Sequence, residues 1–114
     1  MTQQEIIHLA LENLQKQTHI KGSWEPATRK ELDGQVTLNL DNCDIRYYVE
    51  IKKEFRNYHL QQIEALNREY SPLMVVAGRL FPKIKEELRK QNIAYLEANG
   101  NIFLKNNGNL LWID

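Results

Sequence analysis

Polar and apolar residues alternate on both sides of the turn-forming letters DNCD at 41–44, and this alternation constrains the chain more than any other feature. Before the turn, Val36, Leu38 and Leu40 alternate with polar residues. After it, the letters IRYYVEIK at 45–52 alternate again. Successive side chains of a strand point to opposite faces, so each segment is expected to be a strand with one apolar face. Two such strands joined by a short turn predict a β-hairpin.

The register of this hairpin decides which polar residues meet. If the letters NC at 42–43 form the turn, we expect Leu40 to lie opposite Ile45. A shift by one residue would mix apolar and polar side chains on each face, and the alternation forbids it. The expected register sets two polar pairs on one face: Asp33 with Lys52, and Gln35 with Glu50.

Two carboxylates and one amine are thereby expected at one end of the hairpin. Asp33 and Glu50 offer hard oxygen ligands for Mg²⁺ or Mn²⁺, and the backbone carbonyl of Ile51 could add another. A bound cation would generate hydroxide and neutralise charge at a phosphodiester, while Lys52 would orient the nucleophile or stabilise developing charge. The pattern predicts a candidate metal-dependent phosphodiesterase site. A solvated strand face is the simpler alternative.

The other segments predict helices and strands around this hairpin. The letters LMVVA at 73–77 are apolar without interruption, which is typical of a strand covered on both faces. The expected elements are a helix at 3–16 opened by a TQQE capping box, a short strand around Ile20 and Trp24 ended by Pro26, the hairpin, a helix at 58–70, the strand at 73–77, a helix at 81–92, a strand at 93–97, and a hairpin of 102–105 and 110–113.

This order predicts a single α/β domain over residues 1–114, with a mixed sheet flanked by helices. The early strands follow one another directly and are expected to form an antiparallel meander. The later strands alternate with helices, so crossover connections and some parallel pairing are expected. The chain ends in the apolar letters LLWID, a pattern that would also suit a fragment of a longer protein.

Composition narrows the class of protein. Fifteen basic and fifteen acidic residues cancel, so the net charge favours neither nucleic acid nor membrane. Cys43 is the only cysteine, which excludes an internal disulfide and fits a reducing compartment. The sequence has no apolar run near the roughly 20 residues of a membrane span and no signal-peptide pattern at its start. We therefore expect a cytoplasmic protein without a membrane partner.

The letters DG at 33–34 and EIK at 50–52, in this order of elements, resemble the restriction-endonuclease-like superfamily of PD-(D/E)xK nucleases. The resemblance implies that Asp33, Glu50 and Lys52 are catalytic, with the two carboxylates as metal ligands. Leu32 stands where the family signature has proline.

Some members of that superfamily add two further polar residues. One is a glutamate from the first helix, for which Glu5 and Glu12 are the candidates here. The other is a glutamine from the helix after the lysine, for which the candidates are Gln61 and Gln62, with Gln62 the preferred one. Neither glutamine is followed by tyrosine four residues later.

Residues 73–105 resemble a segment of AbiEi-like proteins, which are antitoxins or transcriptional regulators of type IV toxin–antitoxin systems. The segment combines an apolar strand, a helix and the letters YLEANGN at 95–101, with Glu97 in place of an aspartate. This resemblance implies a DNA-linked regulatory protein and leaves catalysis open, because nuclease folds also occur with silent sites. The AbiEi-like proteins usually carry a winged-helix DNA reader, and the sequence predicts no such unit.

Basic residues are clustered at 46–56 and 79–90 although the total charge cancels. They would hold phosphates if they flank the polar face of the hairpin, and a mixed charged surface is the alternative. Four tyrosines offer base stacking or, alternatively, core packing. The candidate phosphate-binding residues are Lys53, Arg56, Arg79 and Lys83, and the tyrosines are Tyr47, Tyr48, Tyr58 and Tyr95.

Three functions are therefore open. The first is a Mg²⁺- or Mn²⁺-dependent nuclease acting on DNA. The second is a catalytically silent nuclease-like module that binds DNA or protein. The third is an interaction domain whose open sheet edge pairs with a second copy, as in a homodimer, or with a further domain of the same chain.

Overall fold

A computed structural model describes residues 1–28 and 31–114. Within these residues the chain forms three helices and seven strands. In chain order they are α1 (Gln3–Thr18), β1 (Gly22–Pro26), β2 (Gly34–Leu40), β3 (Cys43–Lys52), α2 (His59–Glu69), β4 (Leu73–Ala77), α3 (Pro82–Lys90), β5 (Ala94–Glu97), β6 (Ile102–Asn106) and β7 (Asn109–Ile113). No helix in the described part of the chain is long and apolar enough to cross a membrane.

All seven strands belong to one mixed sheet, in which neighbours in sequence are neighbours in space. Strands β1, β2 and β3 pair antiparallel, as the meander predicts. Strands β3, β4 and β5 pair parallel, with α2 and α3 as crossover connections. Strands β5, β6 and β7 return to antiparallel pairing. The prediction of a mixed α/β sheet flanked by helices is confirmed.

The two faces of the sheet are covered by different helices. Helix α1 buries Ile6, Ile7, Ala10 and Leu14 against one face. Helices α2 and α3 cover the other face with Ile63, Ile84 and Leu88. All five residues of β4 are buried, because this strand has a helix on each side.

Helix α1 begins with the predicted capping box. The Thr2 hydroxyl accepts from the Glu5 amide at 3.1 Å, and the Glu5 carboxylate accepts from the Thr2 amide at 3.1 Å. The helix ends at His19, whose left-handed φ of 63° lets its amide donate to the Gln15 carbonyl. These caps satisfy backbone groups that the helix itself leaves unpaired.

The register of the β2–β3 hairpin differs from the expectation by two residues. The turn is formed by Asp41 and Asn42, with φ values of 49° and 65°, and Leu40 pairs with Cys43 and not with Ile45. Asp and Asn tolerate the left-handed conformation that a tight two-residue hairpin turn needs at both positions. A shift of two residues keeps every side chain on its face, so the apolar pattern could not detect it.

This register changes the expected polar pairs. Gln35 lies opposite Tyr48 and not opposite Glu50. The Asp33 amide donates to the Val49 carbonyl at 3.0 Å, which places Asp33 beside Glu50 at the end of the ladder. The predicted pairing of Asp33 with Lys52 is therefore wrong, although both stay on the polar face.

The start of β2 requires a residue without a Cβ atom. A Cβ on Gly34 would lie 2.3 Å from the Glu25 carbonyl oxygen and 2.4 Å from the Trp24 ring. The backbone contact cannot be relieved by a side-chain rotation. This close approach keeps β1 tight against β2 immediately next to Asp33.

We expect Gly34→Ala to lower the free energy of unfolding by about 2 kcal/mol, because the added methyl group forces β1 away from β2. Urea denaturation followed by circular dichroism measures the change. Gly78→Ala is the matched control, since the nearest neighbour of its Cβ would lie at 3.8 Å. Equal stability of the two variants would contradict the packing described for Gly34.

Candidate functional site

The candidate residues lie where β3 ends, on the sheet face that carries α2 and α3. Glu50 and Lys52 alternate with the buried Val49 and Ile51, so both polar side chains leave β3 on the same face. Their neighbours on the parallel strand β4 are Val75 and Ala77. The candidate site therefore begins at the carboxyl end of the parallel strands.

Asp33 is held in place by the edge of the β2–β3 ladder. Its Oδ2 accepts a hydrogen bond of 2.6 Å from the Ile51 amide, and its own amide donates to Val49. The side-chain carboxylate thus takes the position that a backbone carbonyl would occupy one step further along the strand. This contact orients the carboxylate toward the neighbouring residue, Glu50.

Glu50 is a nearly buried carboxyl group, with 7% of its surface exposed. Burial raises the pKa of Glu50 to about 7, and the hydrogen bond and charge of Asp33 act in the same direction. The Lys52 ammonium, 3.6 Å away, opposes this increase. Near neutral pH the Glu50 carboxyl group therefore holds a proton part of the time.

Lys52 connects the carboxyl pair to α2. Its Nζ donates to the Gln62 Oε1 at 3.4 Å and also faces Glu50. The structure thus brings together four predicted residues: Asp33, Glu50, Lys52 and Gln62. Gln61 is exposed on the same helix.

Helix α1 reaches this site through Gln3, a residue that the sequence did not single out. The Gln3 Nε2 donates to the Ile51 carbonyl at 3.0 Å, so the carbonyl that was expected to bind metal already has a partner. Glu5 closes the capping box, and Glu12 pairs with Lys16 at 3.1 Å. Neither glutamate contacts the Ile51 carbonyl. The helical pattern of the sequence does not indicate that Gln3 would do so.

His59 is a second residue that sequence reasoning treated as isolated. Its pKa is lowered, first by burial and then by the positive charges of Lys52 and Arg56. Its Nδ1 accepts from the Arg56 amide at 2.9 Å, which requires that nitrogen to be unprotonated. A neutral imidazole therefore lies close to the Lys52 ammonium.

The predicted phosphate-binding residues all lie exposed near the same edge of the sheet. Lys53 directly follows β3, and its carbonyl approaches Gly78 in the segment after β4. Arg56 forms an ion pair with Glu54 at 2.5 Å, which reduces the charge that it offers. Arg79 and Lys83 flank the start of α3.

The four tyrosines separate clearly by burial. Tyr47 and Tyr95 belong to the core, and Tyr48 is half-buried against the ring of Tyr70. Tyr58 is 74% exposed. Of these four tyrosines, Tyr58 is exposed enough to stack on a base. The burial of the other three is explained by packing.

Glu97 of the YLEANGN segment occupies a second polar cluster with a structural role. Its Oε2 accepts from the Leu80 amide at 2.7 Å. Its Oε1 accepts from Asn101 at 3.2 Å and forms a 2.5 Å ion pair with Lys85. Glu97 therefore ties β5 to the segment before α3 and to the turn after β5.

The remainder of YLEANGN attaches this turn to α1. The Asn13 side chain donates to the Ala98 carbonyl at 2.8 Å, and Gln17 donates to Asn99 at 2.9 Å. Gly100 has a φ of 94°, and a Cβ there would lie 3.0 Å from the Asn13 backbone. These contacts give the YLEANGN segment a structural role, which is to pack the turn after β5 against α1.

We expect Glu97→Ala to lower the free energy of unfolding by about 3 kcal/mol, because it leaves the buried Leu80 amide without its acceptor and takes from Lys85 the nearer of two carboxylate partners, the other being Asp114. Glu86→Ala is the matched control: Glu86 pairs with Lys90 at the surface, where an ion pair contributes about 0.5 kcal/mol or less. Chemical denaturation of both variants tests this role. A Glu97 variant as stable as the control would contradict it.

The donor set fits Mg²⁺ or Mn²⁺ better than zinc. Among residues 1–28 and 31–114, no cluster of three or more His, Cys, Asp and Glu side chains is suited to hold a metal ion. Asp33 and Glu50 supply two carboxylates, and Mg²⁺ is commonly bound by one or two carboxylates together with water and substrate phosphate. Zinc would need three or four protein ligands.

Comparison of the chain with protein-family models, with curated proteins and with solved structures found no significant match. The resemblances to PD-(D/E)xK nucleases and to AbiEi-like proteins therefore stay predictions. The geometry of the site is the basis for a functional proposal.

The raised pKa of Glu50 has a consequence for stability. Below about pH 4.5 the group is protonated in both the folded and the unfolded chain, so it adds no pH dependence there. Between that pH and about 7 the folded chain holds the proton more tightly, so stability falls as pH rises. Above about 7 the folded chain carries a nearly buried charge.

We expect Glu50→Gln to be more stable than the wild-type chain by roughly 2 kcal/mol at about pH 8, and nearly equal to it near pH 4.5. Urea denaturation at the two pH values measures the difference. Glu12→Gln, at an exposed position, should show no such dependence. A Glu50 variant with the same pH profile as the wild type would contradict the raised pKa.

Proposed function

We propose that this protein is a metal-dependent phosphodiesterase acting on DNA, built on a restriction-endonuclease-like arrangement of its mixed sheet. The observation that carries the proposal is the meeting of Asp33, Glu50 and Lys52 at the carboxyl end of β3. Two carboxylates and an ammonium at one place match the chemical needs of phosphodiester hydrolysis. The exposed cations along the same edge suit a polyanionic substrate.

Each residue has a distinct role in this proposal. Asp33 and Glu50 would hold Mg²⁺ or Mn²⁺, which supplies a nucleophilic hydroxide and neutralises phosphate charge when bound. Lys52 would donate hydrogen bonds to the nucleophile or to the phosphate oxygens. Gln62 would orient the Lys52 ammonium, and Gln3 would hold the β3 backbone in place.

The raised pKa of Glu50 supports this assignment. Burial, together with the hydrogen bond and the charge of Asp33, raises the pKa of Glu50 to about 7, so Glu50 holds a proton part of the time near neutral pH. A divalent cation would offset the charge of Asp33 and replace that proton. Metal binding is therefore expected to strengthen as pH rises above about 7.

A second candidate is a silent nuclease-like module that binds DNA without cleaving it, as the AbiEi-like resemblance implies. One observation favours it: Asp33 Oδ2 already accepts from the Ile51 amide, and the Ile51 carbonyl accepts from Gln3. These contacts give both groups a purely structural use. Phosphate contact would then come from the exposed cations alone.

A cleavage assay separates the two candidates. We expect the protein to nick or degrade DNA with Mn²⁺ or Mg²⁺ and to be inactive with a chelator. We expect Lys52→Ala to reduce the rate by roughly a hundredfold or more, because it removes the donor that stabilises the developing charge. Lys53→Ala is the matched control: the adjacent, exposed lysine should affect DNA retention far more than turnover.

Binding of DNA without cleavage under any divalent metal would support the silent module and contradict the phosphodiesterase. Equal losses in Lys52→Ala and Lys53→Ala would show that charge, and not position, governs the activity. Thermal unfolding of each variant establishes that it is folded before it is assayed.

A further inference from the structure

Two aromatic side chains stand exposed at the edge of the sheet that carries the candidate site. Tyr58 is 74% exposed and Phe81 is 56% exposed. Each is the residue immediately before a helix: Tyr58 precedes α2 and Phe81 precedes α3. Since α2 and α3 follow the parallel strands β3 and β4, both helices begin at the same edge.

Tyr58 lies one helical turn from the Lys52 contact. Gln62, four residues further on, accepts from the Lys52 ammonium, and residues four apart share a helix face. The ring of Tyr58 rests on His59 with centroids 4.3 Å apart, and His59 rests in turn on the buried Phe55 at 5.4 Å. The exposed ring of Tyr58 is therefore supported by side chains that pack against the core.

Phe81 is brought to the same edge by the parallel pairing. The segments that follow β3 and β4 are in contact, since a Cβ on Gly78 would lie 3.8 Å from the Lys53 carbonyl. Helices α2 and α3 follow the neighbouring strands β3 and β4 on the same face of the sheet, and Gln91 at the C-terminal end of α3 donates to Glu64 of α2 at 2.7 Å. The two exposed rings thus flank neighbouring segments of one surface.

Three cations without acidic partners lie near these two rings along the chain. Within residues 1–28 and 31–114, Lys53, Arg79 and Lys83 are exposed and form no ion pair with a carboxylate. Exposed aromatic rings interleaved with free cations are the arrangement by which proteins hold single-stranded nucleic acid, since unpaired bases stack while phosphates are held by charge. A paired duplex keeps its base faces covered.

We propose that Tyr58 and Phe81 form a stacking edge that selects single-stranded DNA, or an unpaired DNA end, for the candidate site. This inference deepens the proposed function and rests on it for the placement of DNA at this edge. Lys53, Arg79 and Lys83 hold the phosphates. The bases that stack on the two rings position the adjoining phosphodiester at Asp33, Glu50 and Lys52.

The test measures binding without metal, so that it does not depend on cleavage. A labelled thymidine oligonucleotide, an abasic strand of equal length and a duplex are titrated against the full chain in the presence of a chelator, with fluorescence anisotropy as the readout. We expect the wild-type chain to bind the thymidine strand more tightly than the abasic strand or the duplex. Tyr58→Ala and Phe81→Ala should each weaken thymidine binding about five- to a hundredfold and leave abasic binding unchanged.

Two controls separate stacking from other effects. Leu110→Ala removes an equally exposed apolar side chain from β7 and should leave binding unchanged. Tyr58→Phe keeps the ring and should keep the affinity, because stacking does not need the hydroxyl. Equal binding of thymidine and abasic strands, a preference for duplex, or no binding of any strand would overturn the proposal; the last result fits a protein partner on these rings.

The outcomes for stacking and for catalysis are distinguishable. Base-dependent binding without cleavage in Mn²⁺ would contradict the phosphodiesterase proposal and support the stacking edge. Metal-dependent cleavage of duplex that is unaffected by Tyr58→Ala and Phe81→Ala would support the phosphodiesterase proposal and contradict the stacking edge.

Discussion

The hydrogen bond between the Asp33 carboxylate and the Ile51 amide is the contact on which the candidate site depends. It extends the β2–β3 ladder by one step, using a side chain where a backbone carbonyl would otherwise act. The same contact brings Asp33 against Glu50 in a place where little water remains. Burial raises the pKa of Glu50, and the hydrogen bond and charge of Asp33 act in the same direction.

Parallel pairing in the centre of the sheet determines what surrounds the carboxyl pair. Strands β3 and β4 end at one edge, so the segments that follow them carry their cations and exposed rings to the same surface. Glu97 holds the segment before α3 in place by accepting from the Leu80 amide and pairing with Lys85. These contacts keep the polar groups at this edge of the sheet in defined positions.

Most of the fold could be predicted from local patterns, and the candidate site only in part. Alternation gave the faces of the hairpin, so Glu50 and Lys52 were correctly expected to lie on one side. The pairing of Asp33 was missed because a two-residue shift changes no face, and the Asp41–Asn42 turn decided it. Gln3 and His59 reach the site only through tertiary contacts, which no local pattern encodes.

A crystal structure of the protein soaked in Mn²⁺, with anomalous scattering used to locate the metal, would test the metal site directly. We expect one strong peak between the carboxylates of Asp33 and Glu50, with oxygen ligands at about 2.1 Å. We also expect Lys52 to stay beside that peak. The absence of a peak at millimolar Mn²⁺, with the Asp33 carboxylate still accepting from the Ile51 amide, would contradict a working metal site.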